Sequence, residues 1–442
     1  MNSGALGIAP SRRHYLFPPS TSYTFRKLEA QWWKCNIYWT HGKSHSIAIR
    51  MSQPWQIQCA VLFTAALAFF FPSELPAQPQ RPLFAAAPDS PISVGERPGS
   101  IALGDVNQDG KPDLLVASAR GLSVLLGQGD GHFHLAPGSP IHVPKWPSEL
   151  LLRDFNGDGK LDVAFGNHDS YDVILLFGDG KGGFTLAPHS PVNMKQGQHP
   201  HTHGLLAGDL NGDGKLDLVR VNNADNDLSI AFGDGKGDFT PAPATFPVGA
   251  SPYPGALADL NGDGHLDIIA TSTGRRSREE EESTKALTIL FGDGHGGFRS
   301  NRIPLRTKLP WFVAAADING DHNLDLVVTH TERRDLTVLL GDGKGGFSEA
   351  AGSPFDLGHS AWYVALADVN HDAKLDVLAA AGDGLRVMLG DGRGAFKTAT
   401  GSPFATGKGT WQLAVGDVNG DGKPDVAMTN VETDKVTVLL GQ

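Results

Sequence analysis

The stretch DFNGDGKLD, residues 154–162, decides how this chain folds, because its pattern recurs six more times. In every copy Asp occupies loop positions one, five and nine and Asn occupies position three, and an apolar run follows. Successive copies start 49 to 58 residues apart, and a period of roughly 50 residues is typical of an array of small β units. The copies begin at Asp105, Asp154, Asp209, Asp259, Asp317, Asp368 and Asp417.

Each repeat predicts a four-stranded antiparallel sheet. In the fifth repeat, apolar runs begin at Phe312, Leu324 and Leu336, and the Gly-rich turn 341–346 leads into a fourth run at Phe347. Short runs of apolar and β-branched residues bounded by Gly, Asp and Asn are typical of strands. The chain is therefore predicted to be all-β.

The seventh repeat ends at Gln442 without a fourth run of its own. The stretch FAAAPDSP, residues 84–91, lies before the first repeat and matches FTLAPHSP, residues 184–191, and FSEAAGSP, residues 347–354. This match predicts that the N-terminal segment supplies the missing strand and closes the array into a ring. Seven four-stranded sheets closed radially form a seven-bladed β-propeller.

The repeated nonapeptide and the turn LFGDGKGGF, residues 176–184, resemble the FG-GAP or VCBS repeats best known from the propeller of integrin α subunits. The resemblance covers residues 82–442. It implies calcium in the Asp loops and a role in adhesion or in the recognition of carbohydrate or protein. In this family such propellers also accompany catalytic modules.

The composition of the loop favours calcium independently, because this hard cation takes six to eight oxygen ligands. Position twelve, where an EF-hand has a bidentate Glu, holds residues such as Val116 and Arg220, so position nine is predicted to ligate directly. Asp and Asn also form turns without metal, but three carboxylates within nine residues repel one another unless a cation is present. The predicted ligands are Asp105, Asn107, Asp109, Asp113, Asp154, Asn156, Asp158, Asp162, Asp209, Asn211, Asp213, Asp217, Asp259, Asn261, Asp263, Asp267, Asp317, Asn319, Asp321, Asp325, Asp368, Asn370, Asp372, Asp376, Asp417, Asn419, Asp421 and Asp425.

The seven sites are not expected to be equal. Position six usually requires Gly because the backbone there turns through positive φ, but it holds His322 and Ala373 in repeats five and six. Up to seven calcium ions are therefore predicted, with weaker binding in those two loops and the weakest at Ala373.

The N-terminal region predicts export. The apolar run 59–71 has the length of a signal-peptide core, so residues 51–77 are interpreted as a signal peptide, with an uncleaved anchor as the alternative. Residues 1–50 are interpreted as an extension that is disordered or missing from the mature protein, and either Met1 or Met51 is the start. The propeller, residues 82–442, contains no Cys. A secreted, periplasmic or cell-surface monomer without a membrane span follows.

Strand direction places the loops that join strands two and three, and those that enter each repeat, on the face opposite the Asp loops. Six residues before the first Asp, the repeats hold Gly99, Ser148, His203, Tyr253, Trp311, Trp362 and Trp411. Aromatic rings there either stack on a glycan or an extended chain, or wedge between blades as core; both interpretations stay open. The candidate ligand-binding residues are Trp146, His201, His203, Tyr253, Trp311, Trp362 and Trp411.

Polar side chains on the same face are further candidates for ligand contacts. They are Asn167, His168, Asp169, Asn222, Asn223, Asp225, His330, Glu332 and Asn430. His199, His201 and His203 alternate along an extended segment, so their side chains point the same way and can form a zinc or copper site. Exposed histidines without metal are the alternative.

The function predicted from these features is a calcium-binding recognition or adhesion module for a glycan or an extracellular protein. The net charge of −11 and the lack of a basic stripe argue against nucleic acid. No known catalytic motif occurs. The alternative is a polysaccharide lyase or glycoside hydrolase that uses Glu149, with the His199–His203 segment or with Asp169 or Asp225 as a second carboxylate. A structural spacer is a third interpretation.

Overall fold

The computed structural model describes residues 82–442 except 120, 144–146, 196, 198–199, 254, 275–283, 331–332 and 383. It also describes the backbone of a separate hairpin, Ile37–Thr40 paired with Ser46–Ile49. The predicted signal peptide, residues 51–77, lies outside the described residues, as does the predicted N-terminal extension apart from this hairpin. The described residues contain no helix with the length and apolar character needed to cross a membrane.

Seven antiparallel sheets follow one another along residues 82–442, one for each Asp loop, and we number these blades 1 to 7. The first strand of each blade leads into the Asp loop and the second begins at its ninth residue. First strands are Ser100–Gly104, Pro147–Arg153, Thr202–Gly208, Leu257–Ala258, Pro310–Ala316, Ala361–Ala367 and Thr410–Gly416. Second strands are Asp113–Ser118, Asp162–Asn167, Asp217–Asn222, Asp267–Ala270, Asp325–His330, Asp376–Ala381 and Asp425–Asn430.

The third strands run back towards the Asp loops and the fourth strands are the outermost. Third strands are Gly121–Gly127, Asp172–Gly178, Asp227–Gly233, Ala286–Gly292, Asp335–Gly341, Gly384–Gly390 and Lys435–Gly441. Fourth strands of blades 1 to 6 are Phe133–Leu135, Phe184–Leu186, Phe239–Pro241, Phe298–Pro304, Phe347–Glu349 and Phe396–Thr398. Short extra strands, Ile92–Ser93, Val192–Asn193, Phe246–Pro247 and Phe355–Asp356, extend the outer side of blades 7, 2, 3 and 5.

The N-terminal segment closes the ring, as the sequence predicts. Phe84–Ala86 pairs antiparallel with the third strand of blade 7, with Phe84 opposite Gly441 and Ala86 opposite Leu439. Ile92–Ser93 pairs with the same strand further along. Blade 7 is therefore built from both ends of residues 82–442, and closure of this kind removes the open ends of the array.

Seven hydrophobic clusters fill the seven seams between neighbouring blades. The cluster between blades 7 and 1, for example, joins Val436 and Val438 to Leu114 and Val116, which are all fully buried. Because each sheet packs on two neighbours, its second strand is buried on both faces and reads as a continuous apolar run. For this reason the second strands show little alternation of apolar and polar residues, whereas the same apolar pattern recurs from one repeat to the next.

The two faces of the ring carry different loops. The Asp loops and the Gly-rich turns between strands three and four lie together on one side, which we name the Asp-loop face. The Gly182 amide of the blade 2 turn donates to the Val106 carbonyl in the Asp loop of blade 1 at 3.2 Å, and Gly296 donates to Leu210 in the same way. The loops from strand two to strand three and the entries to each blade lie on the opposite side, which we name the variable face.

Truncating Phe84 tests ring closure. Its ring is 4% exposed, belongs to the seam between blades 6 and 7, and meets Phe404 edge-on at 5.3 Å. We expect Phe84→Ala to lower the free energy of unfolding by about 3–5 kcal/mol, measured by urea denaturation. Leu186→Ala, at a side chain that is 52% exposed, is the control and should change it by less than about 0.5 kcal/mol. Equal stability of the two variants would show that the N-terminal strand is not docked in solution.

Candidate functional site

The Asp loops are organised by their own side chains. In blade 2, Asp154 Oδ1 accepts the Gly157 amide at 2.7 Å and Asp154 Oδ2 accepts the Gly159 amide at 2.8 Å. Asn156 Oδ1 accepts the Asp158 amide at 2.9 Å, and Asp158 Oδ1 accepts the Lys160 amide at 3.0 Å. These bonds turn the side chains of positions one, three and five towards the centre of the loop.

The ninth residue has a role that the sequence did not reveal. Asp162 is fully buried; its Oδ2 accepts the Phe155 amide at 2.9 Å and its Oδ1 accepts the Gly178 amide at 2.9 Å. Gly178 ends the third strand, so this carboxylate ties the loop and the second strand to the third strand. The equivalent pair of bonds occurs in all seven blades.

The carboxylates of one loop lie close enough to influence one another. Burial raises the pKa of the Asp162 carboxyl, its two backbone hydrogen bonds lower it, and the charges of Asp158 and Asp154 raise it further. Burial, with smaller contributions from loop carboxylates, also raises the pKa of the ninth residue in the other blades, against the lowering effect of its backbone hydrogen bonds. A carboxylate has about four lone-pair sites, so the ninth residue keeps acceptor capacity beyond its two hydrogen bonds. Each loop thus gathers three carboxylates and one amide oxygen, a donor set that fits calcium.

The sixth loop position has a positive φ in every blade, whether or not it is glycine. The value is +80° at Gly159 and +79° at Gly214, and it is 70° at His322 and 62° at Ala373. The fourth position is also left-handed, including at Gln108 and His371, each with φ 59°. Blade 6 therefore holds two non-glycine residues, His371 and Ala373, in this costly conformation. The sequence pattern pointed to Ala373 but not to His371.

Most of the predicted ligand-binding aromatics form one cluster on the variable face. Ring centroids are 4.3 Å apart for His203 and Tyr253 and 3.8 Å for Tyr253 and Trp311. They are 4.9 Å apart for Trp311 and Trp362 and 4.8 Å for Trp362 and Trp411. Trp311 of blade 5 also meets Trp411 of blade 7 at 6.2 Å, so the rings of non-adjacent blades converge towards the axis. Trp146 lies outside the described residues.

The surroundings of these rings combine features of both interpretations, a surface that stacks on a ligand and a packed core. None of these rings belongs to the seam clusters of the described chain, which are built from other side chains. Trp311 is nevertheless only 9% exposed, while Tyr253, Trp362 and Trp411 are half-buried. The rings pack on one another, and part of the surface of the cluster is exposed.

A pocket of about 490 Å³ opens beside this cluster. Tyr253, Tyr363 and Trp411 supply aromatic surface to its lining, and the other lining residues are mostly polar or charged. The lining residues are Arg97, Gly99, Glu149, His168, Asp169, His203, Tyr253, Tyr363, Trp411 and Val431. The pocket therefore lies where the run of aromatics is interrupted, since blade 1 contributes Gly99 where blades 4 to 7 contribute aromatic rings.

Glu149 enters the pocket from the first strand of blade 2, held by a buried arginine. Arg220 Nη1 donates to Glu149 Oε2 at 2.9 Å and to the Gly204 carbonyl at 2.9 Å, and Arg220 Nη2 donates to the Asn167 carbonyl at 2.8 Å. The Arg220 side chain is fully buried and that of Glu149 is 15% exposed. Burial and then the charge of Glu149 raise the pKa of Tyr253 to about 12.

The other polar candidates divide into pocket residues and buried structural groups. His168 and Asp169 line the pocket, whereas Asp225 accepts hydrogen bonds from Tyr171 Oη at 2.5 Å and Lys195 Nζ at 2.9 Å. Glu332 lies outside the described residues. Side chains that are at most 4% exposed are Asn167, Asn222, Asn223, His330 and Asn430.

His330 is an example of a buried polar residue with a structural role. Its Nδ1 donates to the Lys308 carbonyl at 3.1 Å and its Nε2 lies 2.9 Å from Thr337 Oγ1. Burial lowers its pKa to about 4, so the neutral form is held inside blade 5.

Three histidines come together at the side of the pocket formed by blades 2 and 3. His168, His201 and His203 have ring centroids 4.3 to 4.8 Å apart. Burial lowers the pKa of His203 to about 4. The potential ligand atoms of the three histidines all lie within 4.8 Å of one another, close enough to hold one metal ion. His199, which the sequence had grouped with His201 and His203, lies outside the described residues.

Comparison with known families agrees with this architecture. A family model described as an FG-GAP-like repeat matches residues 105–165, 154–220, 209–270, 317–379 and 368–428. Together the matches cover more than half of the chain. This chain belongs to the FG-GAP-like repeat family. The resemblance to FG-GAP repeats and the predicted seven-bladed fold are both confirmed.

Solved structures resemble this FG-GAP-like propeller in fold alone. BBS1N, solved in complex with ARL6DN, has a TM-score of 0.55 and 10% identity over 82% of this chain and 98% of its own. A lectin from Agrocybe aegerita that recognises non-reducing terminal N-acetylglucosamine has a TM-score of 0.48 and 18% identity over 70% of this chain and 80% of its own. No curated protein sequence matches the chain.

Replacing Ala373 by Gly tests the strain in the blade 6 loop of this FG-GAP-like propeller. The left-handed conformation costs an L-residue about 1–2 kcal/mol, and the greater freedom of unfolded Gly offsets part of the gain. We expect Ala373→Gly to raise the free energy of unfolding by about 0.5–1 kcal/mol, measured by urea denaturation in EGTA.

The reverse change, Gly422→Ala in blade 7, is the matched control. A Cβ atom there would meet nothing within 4 Å, so any loss of stability comes from φ and not from a clash. We expect a loss of similar size. No change in either variant would contradict the assignment of strain to this position.

Proposed function

We propose that this propeller is a recognition module that binds a glycan or an extracellular protein ligand in the pocket on its variable face. The observation that carries the proposal is the mixed lining of the pocket. Tyr253, Tyr363 and Trp411 supply aromatic surface, and Arg97, Glu149 and Asp169 are among the lining residues that carry charge. Aromatic surface beside a few fixed polar groups is the usual composition of a ligand site.

A glycan fits this arrangement better than an apolar ligand does. A sugar ring has an apolar face of C–H groups that stacks on aromatic side chains, and hydroxyl groups at its rim that need hydrogen-bond partners. Glu149 is fixed by the buried Arg220, so it can accept hydrogen bonds without reorganising. A pocket volume of about 490 Å³ lies within the usual range for small-ligand sites, about 300–1,000 Å³. A protein ligand would present an exposed side chain to the same pocket.

We further propose that calcium in the Asp loops stabilises the scaffold and does not take part in recognition. The loops lie on the Asp-loop face and the pocket lies on the variable face. Each loop joins the first strand of its blade to the second and, through its ninth residue, to the third strand. A cation among the carboxylates would lower their mutual repulsion and hold these three strands together.

Filling the pocket tests the recognition proposal. Gly99 lines the pocket and a Cβ atom there would meet nothing within 4 Å, so we expect the ring of Gly99→Trp to occupy pocket space. We expect Gly99→Trp and Trp411→Ala each to weaken binding at least about tenfold, equivalent to 1.4 kcal/mol. The measurement is a glycan array followed by calorimetry with the best ligand.

Gly382→Trp is the matched control, because Gly382 is not a pocket residue and an added Cβ would meet only His359 at 3.7 Å. Its binding should equal that of the unmodified protein. Unchanged binding in Gly99→Trp would place the ligand elsewhere, and the absence of any ligand would contradict the proposal. Turnover of a polysaccharide that disappears in Glu149→Gln would favour the enzyme alternative.

Removing calcium tests the scaffold proposal. At free calcium about a hundredfold above the dissociation constant, each occupied site adds about 2.7 kcal/mol to the free energy of unfolding. We expect EGTA to lower the melting temperature strongly and native mass spectrometry to show up to seven calcium ions, with the blade 5 and blade 6 sites lost first on dilution. A metal-free mass together with melting that EGTA does not change would refute it.

A further inference from the structure

Three imidazole rings from two blades meet at the pocket. His168 follows the second strand of blade 2, while His201 and His203 lie at the start of the first strand of blade 3. The three rings are nearly perpendicular in pairs, at 79° to 87°, so they meet in T-shaped contacts and their faces do not stack. His201 Nε2 and His203 Nε2 are 3.0 Å apart, which brings two ring nitrogens to one point.

A neighbouring carboxylate orients the third ring. His168 Nδ1 lies 2.6 Å from Asp169 Oδ1, and an ionised carboxylate can only accept, so Nδ1 carries the hydrogen. This leaves Nε2 of His168 with its lone pair available. An imidazole that donates one N–H to a carboxylate and ligates through its other nitrogen is a recurrent feature of protein metal sites.

The backbone holds the two blades together at this place. Thr202, between the other two histidines, donates its amide to the His168 carbonyl at 3.0 Å. Its Oγ1 donates to the Asn167 carbonyl at 2.8 Å. Arg220 Nη2 binds the same Asn167 carbonyl. The histidines are thus fixed relative to one another by a buried network and not by a mobile loop.

We propose that His168, His201 and His203 bind a transition-metal ion, with Zn²⁺ as the expected species. Three neutral imidazoles are a ligand set that zinc takes readily while leaving one coordination position open, whereas calcium and magnesium prefer oxygen. His203 and His168 line the pocket, so the open position faces the ligand space. Tyr253 Oη lies 3.2 Å from His203 Nε2, which places an aromatic wall residue next to the ion.

The site is independent of the Asp loops and goes beyond the recognition function proposed above. An oxygen or nitrogen donor on a ligand would complete the coordination of the ion, so the metal would contribute to the affinity for ligands that carry such a group. The sequence grouped His199 with His201 and His203, and only the fold brings in His168, which lies 33 positions before His201.

Zinc titration of the full chain in saturating calcium tests the inference. Calorimetry should show one Zn²⁺ bound with submicromolar affinity, and X-ray absorption should show three nitrogen ligands at about 2.0–2.1 Å. His168→Gln and His201→Gln should each lose this binding. His189→Gln is the matched control, because the exposed His189 pairs with Asp238 outside the trio, and it should bind as the unmodified protein does.

Asp169→Asn separates a positioning role from a loss of folding. The change keeps the size of the side chain and removes its charge, so we expect zinc affinity to fall about 10-fold to 100-fold while the melting temperature without zinc stays the same. Equal zinc affinity in His168→Gln, His201→Gln and the unmodified protein would overturn the proposal, as would a failure of the unmodified protein to bind zinc at micromolar concentration.

Discussion

A buried carboxylate at the start of each second strand is the interaction on which the blades depend. Asp113 and its six equivalents are fully buried, and an isolated charge in that position would be costly. Two backbone amides offset the cost, one from the Asp loop and one from the last glycine of the third strand. Hydrogen bonds to a charged group contribute about 1.5–3 kcal/mol each. The loop, the second strand and the third strand are therefore held by one side chain in every blade.

The glycine that ends each third strand and donates its amide to this carboxylate is required by the same packing. A Cβ atom on Gly178 would lie 2.2 Å from the Leu161 carbonyl oxygen, so the third strand can approach the loop only where it has no side chain. The first Gly of the repeated turn and the ninth-position Asp are thus the donor and the acceptor of one contact. Their joint repetition explains why the family pattern includes both the loop and the turn.

The sequence predicted the fold well because the same information is repeated seven times. The strand pattern of each blade and the positive φ at position six are local properties of a repeat, and the match of residues 84–91 to the fourth strands of other repeats identified the strand that Phe84–Ala86 donates. The hydrogen bond from Gly178 to Asp162 could not be predicted, since it joins residues 16 positions apart through the geometry of a closed sheet. The sequence could also align Trp311, Trp362 and Trp411 at one position, but alignment does not distinguish a ring in a seam from a ring at the axis.

The variable face gains its chemistry from departures from the repeat. A ring of seven identical aromatics around the axis would leave little space, whereas Gly99 in blade 1 and His203 in blade 3 interrupt the series. The interruption leaves a pocket lined by both aromatic rings and histidines of the His168 cluster. Because the buried ninth-position Asp and its two hydrogen bonds recur in every blade, substitutions on the variable face can change the pocket while these contacts of the scaffold are kept. In the recognition function proposed above, specificity would therefore depend on which blades lack an aromatic ring and on what replaces it.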